Sequence, residues 1–368
     1  MTYAHITGWG MAVPELILSN TELERMVETS DEWIVERTGI RERRIARDGE
    51  TPSTLAITAA WKALGVANLK PPELDLIICA TSTPEYIFPA TACLVQDKLG
   101  AHHAGAFDLL AACTGFIYAL DMAAQAIRTG SILSALVIGT ETLSRFVNWK
   151  DRNTCILFGD GAGAFILQAS QEPGGVLSAV LHSDGSGGEF LSLPAGGSKH
   201  PASKATVRNG MHFIHMDGRE VFRFATRVMA QATREVIGSS GLQPPDVRWI
   251  IPHQANLRII EAAARSLKIP LERFIINIER YGNTSTASIP IAVCEAVEDG
   301  RLKVGDKIVM TGFGAGLTWG ALAAQWSGPL QVEHKVHPAF YRLCASIRSL
   351  LRRIWLRFEG WIWGRGGF

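Results

Sequence analysis

Residues 158–168, FGDGAGAFILQ, and residues 311–326, TGFGAGLTWGALAAQW, share one pattern: an aromatic residue among closely spaced glycines, followed by an apolar run. Each reads as the close of a half-chain, with a strand, a glycine-rich turn and a second strand. Upstream of each, a second correspondence appears. The strand-like run Leu76-Ile77-Ile78-Cys79 is followed by Ala111-Ala112-Cys113-Thr114-Gly115 entering an apolar helix, and Trp249-Ile250-Ile251 is followed by Gly282-Asn283-Thr284-Ser285 entering another. The intervals agree closely, with 33 positions from Ala80 to Cys113 and 31 from Pro252 to Asn283. This self-similarity predicts a duplicated unit. Further strand-like runs at 135–138 and 307–310 alternate with helical periodicity over 53–64, 114–129, 218–239, 257–267 and 285–297, which predicts an α/β fold with much parallel pairing. The seam is placed at Gln171-Glu172-Pro173-Gly174-Gly175. It divides the chain into halves at 1–172 and 173–328 and leaves an extension at 329–368. In such a molecule the site is expected where the halves meet.

Composition narrows the function. Of 368 residues, 47% are apolar and 19% charged, enough to bury a large core, and the formal charge is +1, with no chain-wide basic footprint for nucleic acid. The six cysteines include no pair closer than 14 positions, which removes the common structural zinc spacings, so no metal is expected. The first fifteen residues, MTYAHITGWGMAVPE, lack a basic segment followed by an apolar one; with scattered free thiols this predicts a cytoplasmic protein. The longest apolar stretch, LLAACTGFIYAL between Asp108 and Asp121, is too short to span a bilayer and reads as a core helix. Residues 183–212, rich in Gly, Ser, Lys and His, read as a long loop.

Three residues carry candidate chemistry. Cys113 lies among small residues at a helix start, where the dipole and free N–H groups favour a thiolate; read alone, a buried inert cysteine is the reading favoured by the usual burial of free cysteines. His253 follows a strand in Ile250-Ile251-Pro252-His253, the usual site position in an α/β sheet. Asn283 reads either as a site residue or as a helix cap. The glycine-rich stretches lack GxxxxGK[ST] and the full GxGxxG pattern, so they predict tight turns beside a site and not a phosphate cradle.

Taken in order and spacing, AACTGF around Cys113, PHQANLR from Pro252, GNTSTASIP around Asn283, the two glycine-rich stretches and TSDEWIVERTGIRER at 29–43 closely resemble the β-ketoacyl-[acyl carrier protein] synthase III family. The resemblance runs from about Tyr3 to Trp326. It implies a thiolase-like fold, two pseudo-symmetric α/β halves in an αβαβα layering, and a homodimer. It implies a decarboxylative condensation of an acyl-CoA primer with malonyl-acyl carrier protein through an acyl-cysteine, with a Cys113-His253-Asn283 triad and no cofactor. By the same resemblance the backbone N–H groups of Cys113 and Ala315 form an oxyanion hole. Trp33, Arg37, Arg152, Gly218, Phe88 and Phe313 contact coenzyme A or the acyl chain. Gln254, Ala255, Asn256, Leu257 and Arg258 meet the carrier protein. Thr114 and Ala315 stand where Ala or Ser, and Gly, are more usual. A homologue serving a specialised natural-product pathway and a non-catalytic carrier-binding paralogue are the alternatives; the intact triad weighs against the second.

The extension differs in character. Residues 331–368 carry seven basic and two acidic side chains, a net of +5, while the rest of the chain carries −4. Leu343, Ile347, Leu350, Leu351, Ile354, Phe358 and Trp361 fall on one helical face, with arginines around the remainder and Trp355 and Trp363 near the end. Residues 339–363 therefore predict an amphipathic helix, either packed on the body or a dimer contact, or resting on an anionic membrane.

Overall fold

A computed structural model of the chain describes residues 1–329 and 338–363, with side chains in the second segment from 339 to 359. The N-terminal sheet contains β1 (Tyr3–Ala12), β2 (Leu76–Ala80), β3 (Gly105–Leu109), β4 (Ser134–Thr142) and β5 (Asp160–Ser170), in the spatial order β1-β5-β4-β2-β3. The C-terminal sheet contains β6 (Gly175–Ser183), β7 (Trp249–Pro252), β8 (Lys307–Gly314) and β9 (Thr318–Gln325), in the order β7-β8-β9-β6. The two connectivities match. β2 runs parallel to β4, which pairs antiparallel with β5, which pairs antiparallel with β1. Likewise β7 runs parallel to β8, then β9 and β6 follow antiparallel. The edge strand β3, parallel to β2, has as its counterpart a single bridge between Ile250 and Phe274. The sheets are thus mixed and not mainly parallel, because each half ends in antiparallel strands.

Around these sheets lie the longer helices among the described residues: α1 (Asp31–Thr38), α2 (Pro52–Ala67), α3 (Thr91–Leu99), α4 (Gly115–Arg128), α5 (Gly218–Ser239), α6 (Leu257–Leu267), α7 (Ser288–Glu298) and α8 (Pro338–Trp363). Strand alternation decides which face meets which helix. In β2, Ile78 and Ala80 join Phe116, Ile117 and Leu120 of α4, while Ile77 and Cys79 join Ala60, Ala63 and Leu64 of α2. The central cluster also takes Ile289, Ala292 and Val293 of α7 with Ile308, Met310 and Leu322 of the second sheet, so α4 and α7 form a layer between the sheets. Helices α5 and α6 cover the far face of the second sheet through Val236, Ile260 and Ala264. The result is five layers, αβαβα. Each large aliphatic buried in the central layer contributes about 1.5–3 kcal/mol, which makes that layer the principal source of cohesion between the halves.

Two local readings change. The stretch 159–163 is not a turn: Asp160 to Gly163 already belong to β5. Its glycines serve close helix approach, since a Cβ on Gly163 would lie 2.6 Å from the Cβ of Pro290 in α7. The apolar stretch from Leu109 is core only from Cys113 onward: Leu109 ends β3, Leu110 is exposed, and a turn precedes α4, which begins at Gly115. The segment 183–212 contains a short strand, Leu191–Ser192, paired with His215–Met216, and a short helix, Lys204–Arg208.

Candidate active site

Cys113 and Asn283 come from equivalent places in the two halves. After β3 the chain reaches Ala112 at φ +45° and makes a 3-10 turn over Ala112–Thr114 that leads into α4. After Gly282 the chain reaches Ser285 at φ +47° and makes a 3-10 turn over Ser285–Ala287 that leads into α7. Left-handed backbone at a non-glycine residue costs on the order of 1–3 kcal/mol and persists where the surroundings fix it, most often at functional sites. Here Ala112 adjoins Cys113, and the Ser285 N–H donates to the Asn283 side chain. Opposite the first turn, β8 comes so close that a Cβ on Gly314 would lie 2.7 Å from the Cys113 nitrogen. Ala315 follows and lines the same inner pocket as Cys113.

His253 leaves the C-terminal end of β7 and is buried, its ring 5.4 Å from that of Phe313 in an edge-on contact. Its Nδ1 lies 2.7 Å from the Ser288 hydroxyl, which also lies 2.9 Å from the Ser285 carbonyl. The single hydroxyl proton can serve one of these at a time. Donated to Nδ1, it leaves the ring proton on Nε2; donated to Ser285, it lets Nδ1–H donate to Ser288 and leaves Nε2 an acceptor. The Asn283 amide has a fixed orientation. Its Oδ1 accepts the Ser285 N–H at 2.9 Å, which turns the NH₂ toward the cavity.

One buried carboxylate ties the halves together here. Glu141, at the end of β4, accepts from the Ser285 and Thr286 hydroxyls at 3.0 Å each, from the Thr83 hydroxyl at 2.7 Å and from the Ser82 N–H at 3.1 Å. Burial pushes its carboxyl up, opposed by these donors. Glu141 and Ser288 were not singled out in the sequence. The available signals were an acid ending an apolar strand in GTETLS and the hydroxyl run in GNTSTASIP.

Cys113, His253 and Asn283 line one cavity of about 80 Å³, with Phe224, Phe313 and Gly314 among its other walls. Beyond Cys113 lies a second, apolar pocket of about 110 Å³, walled by Leu143, Phe146, Leu193 and Ile214. On the solvent side the first cavity shares Leu157, Met216, Gly218, Phe222 and Asn256 with an open cleft of about 1230 Å³. At the cleft mouth Trp33 has the Arg37 guanidinium 4.9 Å and the Arg152 guanidinium 5.1 Å from its ring centroid. Behind that wall the signature's last arginine, Arg43, is fully buried and donates to Asn20 and to the Ile156 carbonyl.

The electrostatics reverse one expectation. Burial pushes the Cys113 thiol up to about 12, with a Ser285 hydrogen bond opposing it. A helix start offers a thiolate about 0.3–2 kcal/mol, whereas taking an ion out of water costs several, so the resting group is a thiol. Burial likewise lowers His253 to about 3. The resting pair is therefore neutral thiol and neutral imidazole across the physiological range. Acylation of Cys113 is expected to run at a constant rate between about pH 5 and pH 9, because neither group changes charge there. Quenched-flow mass spectrometry measures it; a fall centred near the ordinary histidine value of about 6.5 would contradict the assignment. Alkylation gives no shortcut, since Cys93 and Cys344 are exposed and a small alkylating reagent meets them first.

Other predicted residues fall differently. Gln254 does not face a carrier protein: it is buried, donates to the carbonyls of Pro252 and Ile275, and accepts from Asn277 N–H, bracing the loop under His253. Leu257 is partly buried in a neighbouring apolar cluster. Asn256 caps α6, donates to the Arg37 carbonyl and lines the cleft. Ala255 is half-buried, and Arg258 is exposed at the cleft with its guanidinium 5.6 Å from the Phe222 ring centroid. Phe88 is 83% exposed and lines neither cavity at Cys113, unlike Phe313.

A thiol, an imidazole and a carboxamide gathered where two pseudo-symmetric α/β halves meet in one αβαβα stack define a thiolase-like acyl-transferring enzyme. The family description "3-Oxoacyl-[acyl-carrier-protein (ACP)] synthase III" matches residues 107–185, and its C-terminal counterpart matches residues 237–326. A β-ketoacyl-[acyl-carrier-protein] synthase III of Roseiflexus sp. (strain RS-1) is 52% identical over 325 residues, covering 88% of this chain and 99% of that protein. The protein of the same name from Symbiobacterium thermophilum is 56% identical over 321 residues, covering 87% and 97%. The crystal structure of 3-oxoacyl-[acyl-carrier-protein] synthase III from Aquifex aeolicus superposes with a TM-score of 0.81 at 49% identity, covering 88% and 99%. The chain belongs to the β-ketoacyl-[acyl-carrier-protein] synthase III family.

Proposed function

We propose that this enzyme joins an acyl primer, delivered as acyl-CoA, to malonyl-acyl carrier protein with loss of CO₂, initiating fatty acid synthesis. The observation that carries the reading is the convergence of Cys113, His253 and Asn283 on one buried cavity, with an apolar pocket on one side and an open cleft on the other. Coenzyme A lies along the cleft, its adenine at Trp33 between Arg37 and Arg152, its pantetheine passing Gly218 and Phe313. In the first half-reaction the Cys113 sulfur attacks the thioester carbonyl as its proton passes to Nε2 of His253. The oxygen that becomes negative is held by the N–H groups of Cys113 and Ala315. Coenzyme A leaves as its thiol, taking that proton, and the acyl chain occupies the inner pocket.

In the second half-reaction malonyl-carrier thioester loses CO₂ and the electron pair moves onto the thioester oxygen. Nε2–H of His253 and the Asn283 NH₂ donate to that oxygen, each such preorganised donor lowering the barrier by about 2.7–4 kcal/mol. The enolate carbon then attacks the acyl-Cys113 carbonyl, and sulfur leaves as the thiolate, which takes up one proton from solvent to restore the resting thiol. The acceptor form of His253 serves the first step and the donor form the second, and Ser288 accommodates both.

The carrier protein docks at Arg258, flanked by Ala255 and Asn256; its acidic surface meets that exposed cation. Arg258→Glu is expected to reduce the rate with malonyl-carrier protein about tenfold or more while acylation by acyl-CoA stays within about twofold, and raising salt should slow the wild-type carrier step. Equal losses in both half-reactions would remove Arg258 from the carrier surface. Copies pair along the β3 edge, where Phe107 and Leu110 are exposed, as is Phe88, and need cover; Phe88 then reaches the partner's acyl pocket.

A further inference from the structure

Helix α8 docks on the body by the wrong side for an ordinary packing element. Ala345 sits against Gly100 at the end of α3, so close that a Cβ on that glycine would touch it at 3.0 Å. Four residues on, the buried Ser349 donates to Asp97 of α3 at 2.8 Å, and Arg353 completes the turn with Asp97 at 3.4 Å. Arg342 lies 5.2 Å from the Trp61 ring centroid, and Tyr341 packs beside the outer core. These residues define the attached side. At 100° per residue the centre of the opposite side falls among Leu343, Ile347, Leu350, Leu351 and Ile354. Those five are 61%, 49%, 60%, 60% and 55% exposed. The rings of Trp355 and Phe358, 6.3 Å apart, extend the same apolar sector.

We infer that this outward face is a docking surface for an anionic phospholipid bilayer, on which the enzyme rests through α8. Charge selects this occupant. Between Pro338 and Trp363 the helix has five arginines and one acid, Glu359. Of these, Arg348 and Arg357 are exposed and project at the two margins of the apolar sector, where the guanidinium groups meet headgroup phosphates while the aliphatic residues enter the acyl boundary. A second copy of the helix would bring the same arginines against each other with one glutamate each to answer them. The helix is about 39 Å long at 1.5 Å per residue, and no helix among the described residues is long and apolar enough to cross a membrane. The surface therefore lies on the bilayer and does not span it. The family match ends at Trp326, so the attachment is an addition to the condensing body.

Full-length protein is tested by sedimentation with vesicles of phosphatidylglycerol and phosphatidylcholine, and of phosphatidylcholine alone, at low salt. The wild type is expected to partition at least about tenfold more strongly onto the anionic vesicles, and to leave them as salt rises. The full-chain variant Leu350→Glu/Ile354→Glu and the variant Arg348→Glu/Arg357→Glu are each expected to lose that partitioning by about tenfold or more. Thermal melting of both shows whether they fold, and neither pair includes Ala345, Ser349 or Arg353, which hold the helix on α3. Wild type that stays in the supernatant, or variants that sediment as it does, would overturn the inference. So would a wild type of higher solution mass whose extra association the Leu350→Glu/Ile354→Glu pair abolishes without any vesicle binding, since the face would then be a contact between copies.

Discussion

Cys113→Ala is expected to abolish condensation, with a loss on the order of 10⁴-fold or more, yet to leave decarboxylation of malonyl-carrier protein in place. The reasoning separates the two jobs of the site. Only sulfur can hold the acyl group, and loss of a covalent nucleophile is among the largest single effects in enzymology. His253 and Asn283, the groups proposed to stabilise the enolate, come from the other half of the molecule, after β7 and before α7, and are held by Ser288 and Ser285. Release of CO₂ from malonyl-carrier protein, followed beside condensation, checks it. Joint loss of both in a normally folded variant would mean that Cys113 helps position the imidazole and the amide.

Asn283→Asp makes the complementary case. Oδ1 can still accept the Ser285 N–H, so the turn into α7 keeps its shape, but the donor facing the cavity is replaced by a carboxyl oxygen. Loss of one oxyanion donor costs about 10²–10³-fold, and a negative charge beside a forming enolate adds to that. Decarboxylation should therefore fall at least this far, while acyl-Cys113 still forms from acyl-CoA. His253→Ala should fail in decarboxylation and also slow acylation, because the same nitrogen accepts the thiol proton. Asn283→Asp that decarboxylates at the wild-type rate would remove the amide from the reaction.

The meeting of Cys113, His253 and Asn283 at one cavity and the duplicated halves are legible in the sequence because each rests on contiguous motifs. Cys113 and Asn283 each precede an apolar helix, and His253 ends a strand; such local patterns survive in one dimension. What stayed hidden depends on partners distant in sequence. Glu141 meets Ser285 and Thr286 across 144 and 145 positions, and nothing near Glu141 in the chain announces hydroxyls from the other half. Gln254 lies in the middle of PHQANLR, and only the fold shows that its amide points inward to Pro252, Ile275 and Asn277. The choice between a thiolate and a buried thiol at Cys113 is hidden for a related reason: a helix start is visible in sequence, whereas the enclosure that outweighs it comes from Gly314 and Phe158, far along the chain. In α8 the apolar stripe was plain, but the docked side is set by Ala345 and Ser349, two small residues that carry no hydrophobic signal.

The most direct test of the account is intact-mass spectrometry of the enzyme after exposure to a panel of acyl-CoA thioesters, followed by peptide mapping. One acyl group per chain is expected, on the peptide containing Cys113 and absent from Cys113→Ala, and it should disappear when malonyl-carrier protein is added. A chain that takes up no acyl group from any acyl-CoA, or that carries it on another residue in the Cys113→Ala protein, would contradict the claim that this site works through an acyl-cysteine.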